Sequence, residues 1–230
     1  MLSSTPAMDP GLLEAARSAT GFMPDDEGAA LYGAGVLAGA SGLGPLLEVG
    51  TYCGKSAVYL GAAARAASSV LFSIDHHRGS EENQPGWDHH DSSLVDATTG
   101  RLDTLPWARR TIQGAGLEDA VVLVVGESTV VARGWATPLA LLFIDGGHGE
   151  DVAWADYRAW TPHVAAGGWL AIHDVFPDPR DGGRPPFELF CAARASGRFE
   201  EVAGAGCGSL RVLRRLGAGP EPVDGVSDRS

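Results

Sequence analysis

Residues 45–60 read PLLEVGTYCGKSAVYL, from Pro45 to Leu60. The apolar run Leu46, Leu47 and Val49 has the composition of a buried parallel strand, and Ser56 to Arg65 (SAVYLGAAAR) reads as a helix. The turn between them carries Gly50 and Gly54, which tolerate backbone conformations and close approaches that a Cβ would block. Such a strand–turn–helix presents backbone N–H groups and a helix N-terminus to an anionic group. A glycine turn that serves only tight strand-to-helix packing is the competing reading of the same residues.

The remaining apolar runs extend the pattern outward. Ser69–Asp75 (SVLFSID), Ala120–Val125 (AVVLVV), Leu139–Asp145 (LALLFID) and Gly168–Asp174 (GWLAIHD) alternate with helical stretches, which predicts a doubly wound α/β fold. Three of these runs close on an acid. In such a sheet, chemistry sits outside the carboxyl ends of the strands, and Asp75, Asp145, His148, His173 and Asp174 all belong there. Unpaired buried charge is costly, so acids gathered at strand ends point to a site. About 25 residues separate Gly50 from Asp75, the separation at which nucleotide folds place a carboxylate on the ribose hydroxyls.

Glu48-x-Gly50-x-x-x-Gly54 differs from the dinucleotide pattern G-x-G-x-x-G, and no G-x-x-x-x-G-K-[ST] phosphate loop occurs. It resembles the first motif of class I S-adenosylmethionine-dependent methyltransferases, and GTYCGKSAVYL is similar to the GAYCGYSAV segment of catechol O-methyltransferases. The resemblance spans roughly residues 28–213 and implies a Rossmann-like sandwich around a seven-stranded, mostly parallel sheet closed by an antiparallel hairpin. It implies that Glu48 and the Gly50, Thr51, Tyr52 and Gly54 backbone hold the methionine part of S-adenosylmethionine, with the Ser56 hydroxyl on its carboxylate and Asp75 on the ribose. Glu127 and Ser128, after the third strand, fall where relatives read the adenine, although Glu127 departs from the family's Gly-Ala-Ser. Asp145 is placed beside the cofactor as well.

Oxygen ligands converging on one point suit a hard divalent cation. Metal-dependent O-methyltransferases carry an aspartate after the fourth strand and an aspartate-asparagine pair after the fifth. By that resemblance Asp145, His173 and Asp174 are the metal set for Mg2+ or Mn2+, His173 standing where an acid is usual. His148 lies where the catechol enzymes carry a lysine that deprotonates the acceptor hydroxyl, and imidazole is suited to that work near neutrality. Its alternative role is a cap on the helix beginning near Glu150. The D-G-x-H arrangement is most similar to bacterial sugar and macrolide-sugar O-methyltransferases. The expected function is therefore metal-dependent O-methylation of a small molecule, a saccharide or glycosylated metabolite by preference. A phenolic acceptor, or a non-catalytic cofactor-binding partner subunit, are the alternatives.

Composition bounds the rest. The 230 residues suit one α/β domain, with expected boundaries of 1–40 for N-terminal cap helices, 41–216 for the methyltransferase domain and 217–230 for a disordered tail. Residues 1–8 are expected to fray. Seventeen basic against 29 acidic side chains leave a charge of −12, which argues against nucleic acid or an anionic membrane as partner. Cys53, Cys191 and Cys207 lack metal spacing and read as free thiols, and no apolar run of membrane-spanning length occurs, so a cytoplasmic location is expected. The assembly stays open, a homodimer included.

Among the finer expectations, one helix runs from about Ser93 to Gly114 with Pro106 as a kink, and Val152, Ala155 and Trp160 face the sheet from the helix Glu150 to His163. The chain is irregular through Pro186 before a last helix, Phe187 to Ser196. The polar stretch 76–92 holds His76, His77, His89, His90, Trp87, Asp88 and Asp91 and reads as the rim of the acceptor pocket, as a transition-metal site, or as a solvated loop.

Overall fold

The structure, a computed structural model, describes residues 6–87, 89–178 and 180–217. The tail expected over 217–230 lies outside the described residues from 218 onward, as do residues 1–5 of the frayed end and Asp88 of the histidine-rich loop. Met8 already packs against the core.

The strands are β1 (Leu46–Val49), β2 (Leu71–Asp75), β3 (Val121–Val125), β4 (Leu139–Ile144), β5 (Val164–Ile172), β6 (Phe199–Glu201) and β7 (Arg211–Arg215). They form one seven-stranded sheet in the order β3-β2-β1-β4-β5-β7-β6. The first five pair in parallel, while β7 runs antiparallel to both β5 and β6. The order in which strands are added reverses between the parallel neighbours β1 and β4, and that switch point opens a crevice at their carboxyl ends. Register places Glu48 opposite Ser73 on one side and Phe143 on the other.

The helices are α1 (Pro10–Ser18), α2 (Asp25–Gly39), α3 (Lys55–Ala66), α4 (Leu105–Gly114), α5 (Ser128–Ala132), α6 (Glu150–Trp160) and α7 (Arg184–Ala195). Because side chains alternate across a strand, Leu141 and Phe143 of β4 join Leu31, Tyr59 and Ala63 on one face, whereas Leu142 and Ile144 join Tyr157, Trp160 and Leu189 on the other. Helix α2 is therefore part of the core as well as a cover. It lies so close to α3 that a Cβ at Gly28 would run into the Tyr59 ring, and one at Gly35 would crowd Ala63. Among the described residues no helix is long and apolar enough to cross a membrane, and the three cysteines are free.

Three local expectations are corrected. The helix expected from Ser93 begins at Leu105; Ser92–Leu94 is a single 3₁₀ turn, and Val95 bridges to Leu102 across a turn. Asp96 causes the break, its carboxylate accepting from the backbone N–H of Thr98 and Thr99 at 3.2 and 2.7 Å, with Gly100 at φ 67°. Pro106 then sits in the first turn of α4, where its missing N–H leaves no bond unmade. The same logic starts α7 at Arg184, ahead of Pro185 and Pro186. On α6, Ala153, Tyr157 and Trp160 face the sheet, while Val152 points outward at 54% exposure.

Candidate active site

The turn after β1 is built from residues that accept left-handed backbone, with φ 98° at Gly50, 48° at Tyr52 and 95° at Gly54. A Cβ at Gly50 would run into the Asp145 carbonyl, so glycine there lets the β1 and β4 loops touch. Asp75, at the end of β2, holds the turn in shape. Its Oδ2 accepts from the N–H of Thr51 at 3.0 Å and Tyr52 at 2.7 Å, and its Oδ1 accepts from His77 N at 2.7 Å. The expected ribose anchor thus also braces the glycine turn.

Beneath the turn Glu48 is fully buried. The Ser73 hydroxyl donates to its Oε1, Ser73 Oγ lies 2.5 Å from Thr51 Oγ1, and Oε2 meets no hydrogen-bond partner among the described residues. Burial pushes the Glu48 carboxyl up to about 8, against the lowering effect of Ser73 and Ser56. A buried carboxyl with an orphaned oxygen suits the ammonium of an amino-acid ligand. Ser56, itself buried, opens α3 beside it.

The third-strand residues behave differently from expectation. The Ser128 hydroxyl is taken up inside the fold, accepting from Trp160 Nε1 at 2.7 Å and hydrogen-bonding Asp156, whose pKa burial raises to about 6. Glu127 at the start of α5 is exposed. A hydroxyl so engaged is unsuited to reading a base; the neighbouring backbone is what remains for that task.

At the ends of β4 and β5 the structure brings together Asp145, His173 and Asp174, each offering one ligand atom within 4.8 Å of the others. His173 Nδ1 lies 2.9 Å from Asp145 Oδ1 and 3.3 Å from Asp174 Oδ2. Asp174 takes left-handed backbone at φ 55°, and its carboxylate faces both histidines of the cluster. His148 Nε2 is 3.0 Å from Asp174 Oδ2, and its Nδ1 is 3.2 Å from Glu82. Both ring nitrogens are thereby committed, and Gly149 rather than His148 occupies the cap position of α6. Burial works against the His148 charge, but hydrogen bonds to Asp174 and Glu82 outweigh it and lift the pKa to about 10. His173 is likewise lifted to about 12 by Asp145, Asp174 and Glu27 against burial, and Asp174 is held far below its usual value, its hydrogen bonds to His148 and His173 outweighing burial. Imidazole poised near neutrality is therefore not what this arrangement produces by itself.

Two residues of this constellation carry no signal in the sequence. Glu27 reaches it from α2, its Oε2 2.7 Å from His173 Nε2. Glu82 reaches it from the 3₁₀ turn Glu81–Asn83 in the long polar loop. That loop is less uniform than a rim. His77 is 1% exposed with Nδ1 2.8 Å from Thr104 Oγ1, His90 Nδ1 lies 2.9 Å from the Asn83 carbonyl, and the His89 ring meets Phe22 at a tilt of 59°, centroids 4.9 Å apart. Phe22 in turn lies 5.3 Å from the Tyr52 ring. Among the described residues these histidines form no three-ligand cluster of their own.

Comparison with known proteins agrees with this geometry. A family model described as a methyltransferase domain matches residues 47–175, which span β1 to the end of the acidic cluster. Among solved structures the chain is similar to the O-methyltransferase NovP, at 17% identity over 81% of this chain and 78% of that one, TM-score 0.62. It is similar to the calicheamicin methyltransferase CalS11 at 17% identity, covering 80% and 76%, TM-score 0.58. The O-methyltransferase TomG of Streptomyces achromogenes, involved in tomaymycin synthesis and solved with S-adenosylmethionine, matches at 15% identity over 91% of each chain, TM-score 0.58. At these identities the likeness is one of fold.

Proposed function

The chain belongs to the methyltransferase-domain family, and on that premise we propose that it is an S-adenosylmethionine-dependent O-methyltransferase that uses a divalent cation. The acceptor is a hydroxyl of a small molecule, a saccharide or glycosylated metabolite first. The observation that carries this reading is the contact of Gly50 with Asp145: one residue touches the glycine turn with its backbone and the acidic cluster with its side chain, so cofactor and acceptor sites adjoin.

S-adenosylmethionine supplies the methyl group, whose bond to sulfur breaks as one to the acceptor oxygen forms. Glu48, with its orphaned Oε2, and the N–H groups of the glycine turn hold the methionine end, and Asp75 holds the ribose side while bracing Thr51 and Tyr52. Asp145, Asp174 and the Nδ1 of His173 would hold the cation, which lowers the pKa of an oxygen placed on it. The donor set, two carboxylates and one imidazole, fits Mg2+ or Mn2+, the imidazole favouring Mn2+. The charge balance agrees: Glu27, Glu82, Asp145 and Asp174 outnumber the two imidazoles, so the half-buried cluster keeps an excess of negative charge whichever protonation state the rings take, and a divalent cation would offset it. His148, whose Nε2 faces Asp174, would accept the acceptor's proton at that nitrogen, and Glu82 would keep the ring in place through Nδ1. Alignment of the reacting atoms contributes the rest.

Transfer of a labelled methyl group across saccharide and phenol panels, with and without chelator, tests the reading. Incorporation into saccharides that chelation abolishes is expected. Preference for phenols would overturn the acceptor class, and undiminished activity after exhaustive chelation would overturn the cation.

A further inference from the structure

Glu27 stands in the first turn of α2 beside Asp25 and Asp26, yet it alone of the three is buried, at 5% exposure. Exposed acids already satisfy the positive end of the helix dipole, so that role does not explain a carboxylate taken out of water. Burying one is costly unless it is paired and hydrogen-bonded. Both conditions are met from distant parts of the chain. Ser209 donates twice, from its N–H to Oε1 at 2.8 Å and from its hydroxyl to Oε2 at 3.0 Å. Gly208 presses so near that a Cβ there would strike the carboxylate. The pairing cation is His173, whose Nε2 lies 2.7 Å from Oε2 as an ion-pair contact, short in distance but outside hydrogen-bond alignment, while Nδ1 faces Asp145 and Asp174. Histidines that ligate metals are generally held this way, with the ring nitrogen away from the metal given to a carboxylate that fixes tautomer and orientation.

We propose that Glu27 is the positioning residue for His173: its carboxylate pairs with the Nε2 side of the ring and so keeps Nδ1 turned into the space shared with Asp145 and Asp174. This rests on the cation reading given above. It assigns the N-terminal helix α2 a part in the site, since the carboxylate that meets the fifth-strand histidine at Nε2 comes from that helix. The competing account is that Glu27 merely fastens α2 to the turn before β7 through Ser209.

Mn2+ binding to the full chain, read from the electron paramagnetic resonance of the free ion, separates the two when unfolding temperatures are taken on the same samples. Glu27→Gln, which keeps the size and an acceptor for Ser209, is expected to weaken Mn2+ binding about 10–100-fold. Ser209→Ala, which loosens the fastening only, is expected to lower the unfolding temperature and leave Mn2+ affinity within about twofold. Unchanged Mn2+ affinity in Glu27→Gln, or an equal loss in Ser209→Ala, overturns the proposal while leaving the cation reading intact. Absence of Mn2+ binding by the wild type overturns both. Should Glu27→Gln fail to fold, nitrogen chemical shifts of His173 in the wild-type protein loaded with Mg2+ decide: a protonated Nε2 with unprotonated Nδ1 supports the positioning role, and the opposite tautomer ends it.

Discussion

The Ser73 hydroxyl donates to Glu48 Oε1 across two adjacent strands, and the other oxygen of that carboxyl, at 0% exposure, meets no hydrogen-bond partner among the described residues. Burial raises the pKa of an acid so placed to about 8, from an ordinary value of 4.5, and so favours its neutral form. The sign follows. The folded state binds this proton more tightly than the unfolded state, so Glu48 destabilises the free protein progressively as pH rises from about 4.5 to 8, and by a constant amount above that. Glu48→Gln should therefore be more stable than wild type at pH 9 and nearly equal to it at pH 4.5, by denaturant unfolding. A ligand ammonium reverses the preference, so cofactor affinity should rise between pH 6 and 8 in the wild type and be flat in Glu48→Gln. Calorimetry in buffers of different ionisation enthalpy reads the released proton; a buffer-independent heat at pH 7 would remove Glu48 from the cofactor site.

Asp75 combines two tasks, and its removal should show both. Without its carboxylate the N–H groups of Thr51, Tyr52 and His77 lose their acceptor, and the turn that cradles the cofactor loosens. Asp75→Ala is expected to weaken S-adenosylmethionine binding by roughly 1–3 kcal/mol, as for loss of a hydrogen bond to a charged group, and to lower the unfolding temperature. Wild-type affinity in that variant, measured by calorimetry, would discard the cofactor role and leave only the brace.

Chelation probes the cluster. Turnover should vanish in chelator and return with Mg2+ or Mn2+, and Asp145→Ala should abolish turnover while S-adenosylmethionine binding stays within about threefold, since Asp145 meets the glycine turn through its backbone carbonyl rather than its side chain. A variant that loses cofactor affinity as steeply as turnover would show instead that the Asp145 carboxylate serves the cofactor.

What the sequence made legible is what local pattern encodes. The apolar runs, the glycines at 50 and 54 that take left-handed backbone, and the acids that close β2 and follow β4 and β5 all follow from short stretches read alone, and the doubly wound fold class follows from their alternation with helices. Glu27 and Glu82 could not be read this way. Their approach to His173 and His148 depends on the close packing of α2 on α3 and on the path of a long polar loop, and nothing in their neighbours distinguishes them from solvated acids. The engagement of Ser128 was invisible for the same reason: the indole that donates to its hydroxyl comes from the far end of α6. The start of α4 was missed because a side-chain turn at Asp96 overrode a continuous helical pattern.

His148 decides whether the cluster is a base or a structural knot. If its Nε2 accepts the acceptor's proton, His148→Gln should lower the turnover number by about 10²–10⁴ with cofactor affinity unchanged. Only neutral imidazole can accept, so the wild-type rate should fall as pH drops through the working pKa of His148. That pKa should lie below the value of about 10 that Asp174 and Glu82 give it without a cation, because a cation on Asp174 removes one of the two partners holding the proton. Stability carries the complementary signature. In chelator the imidazolium is favoured by the fold, so its contribution is fully present below the unfolded pKa of 6.5 and is lost as pH rises through about 10. The gap in unfolding temperature between wild type and His148→Gln should accordingly narrow over that window in chelator. Single-turnover rates and unfolding on the same samples test both halves, and a variant that keeps its chemical step while losing stability would leave His148 as a tether between Glu82 and Asp174 and nothing more.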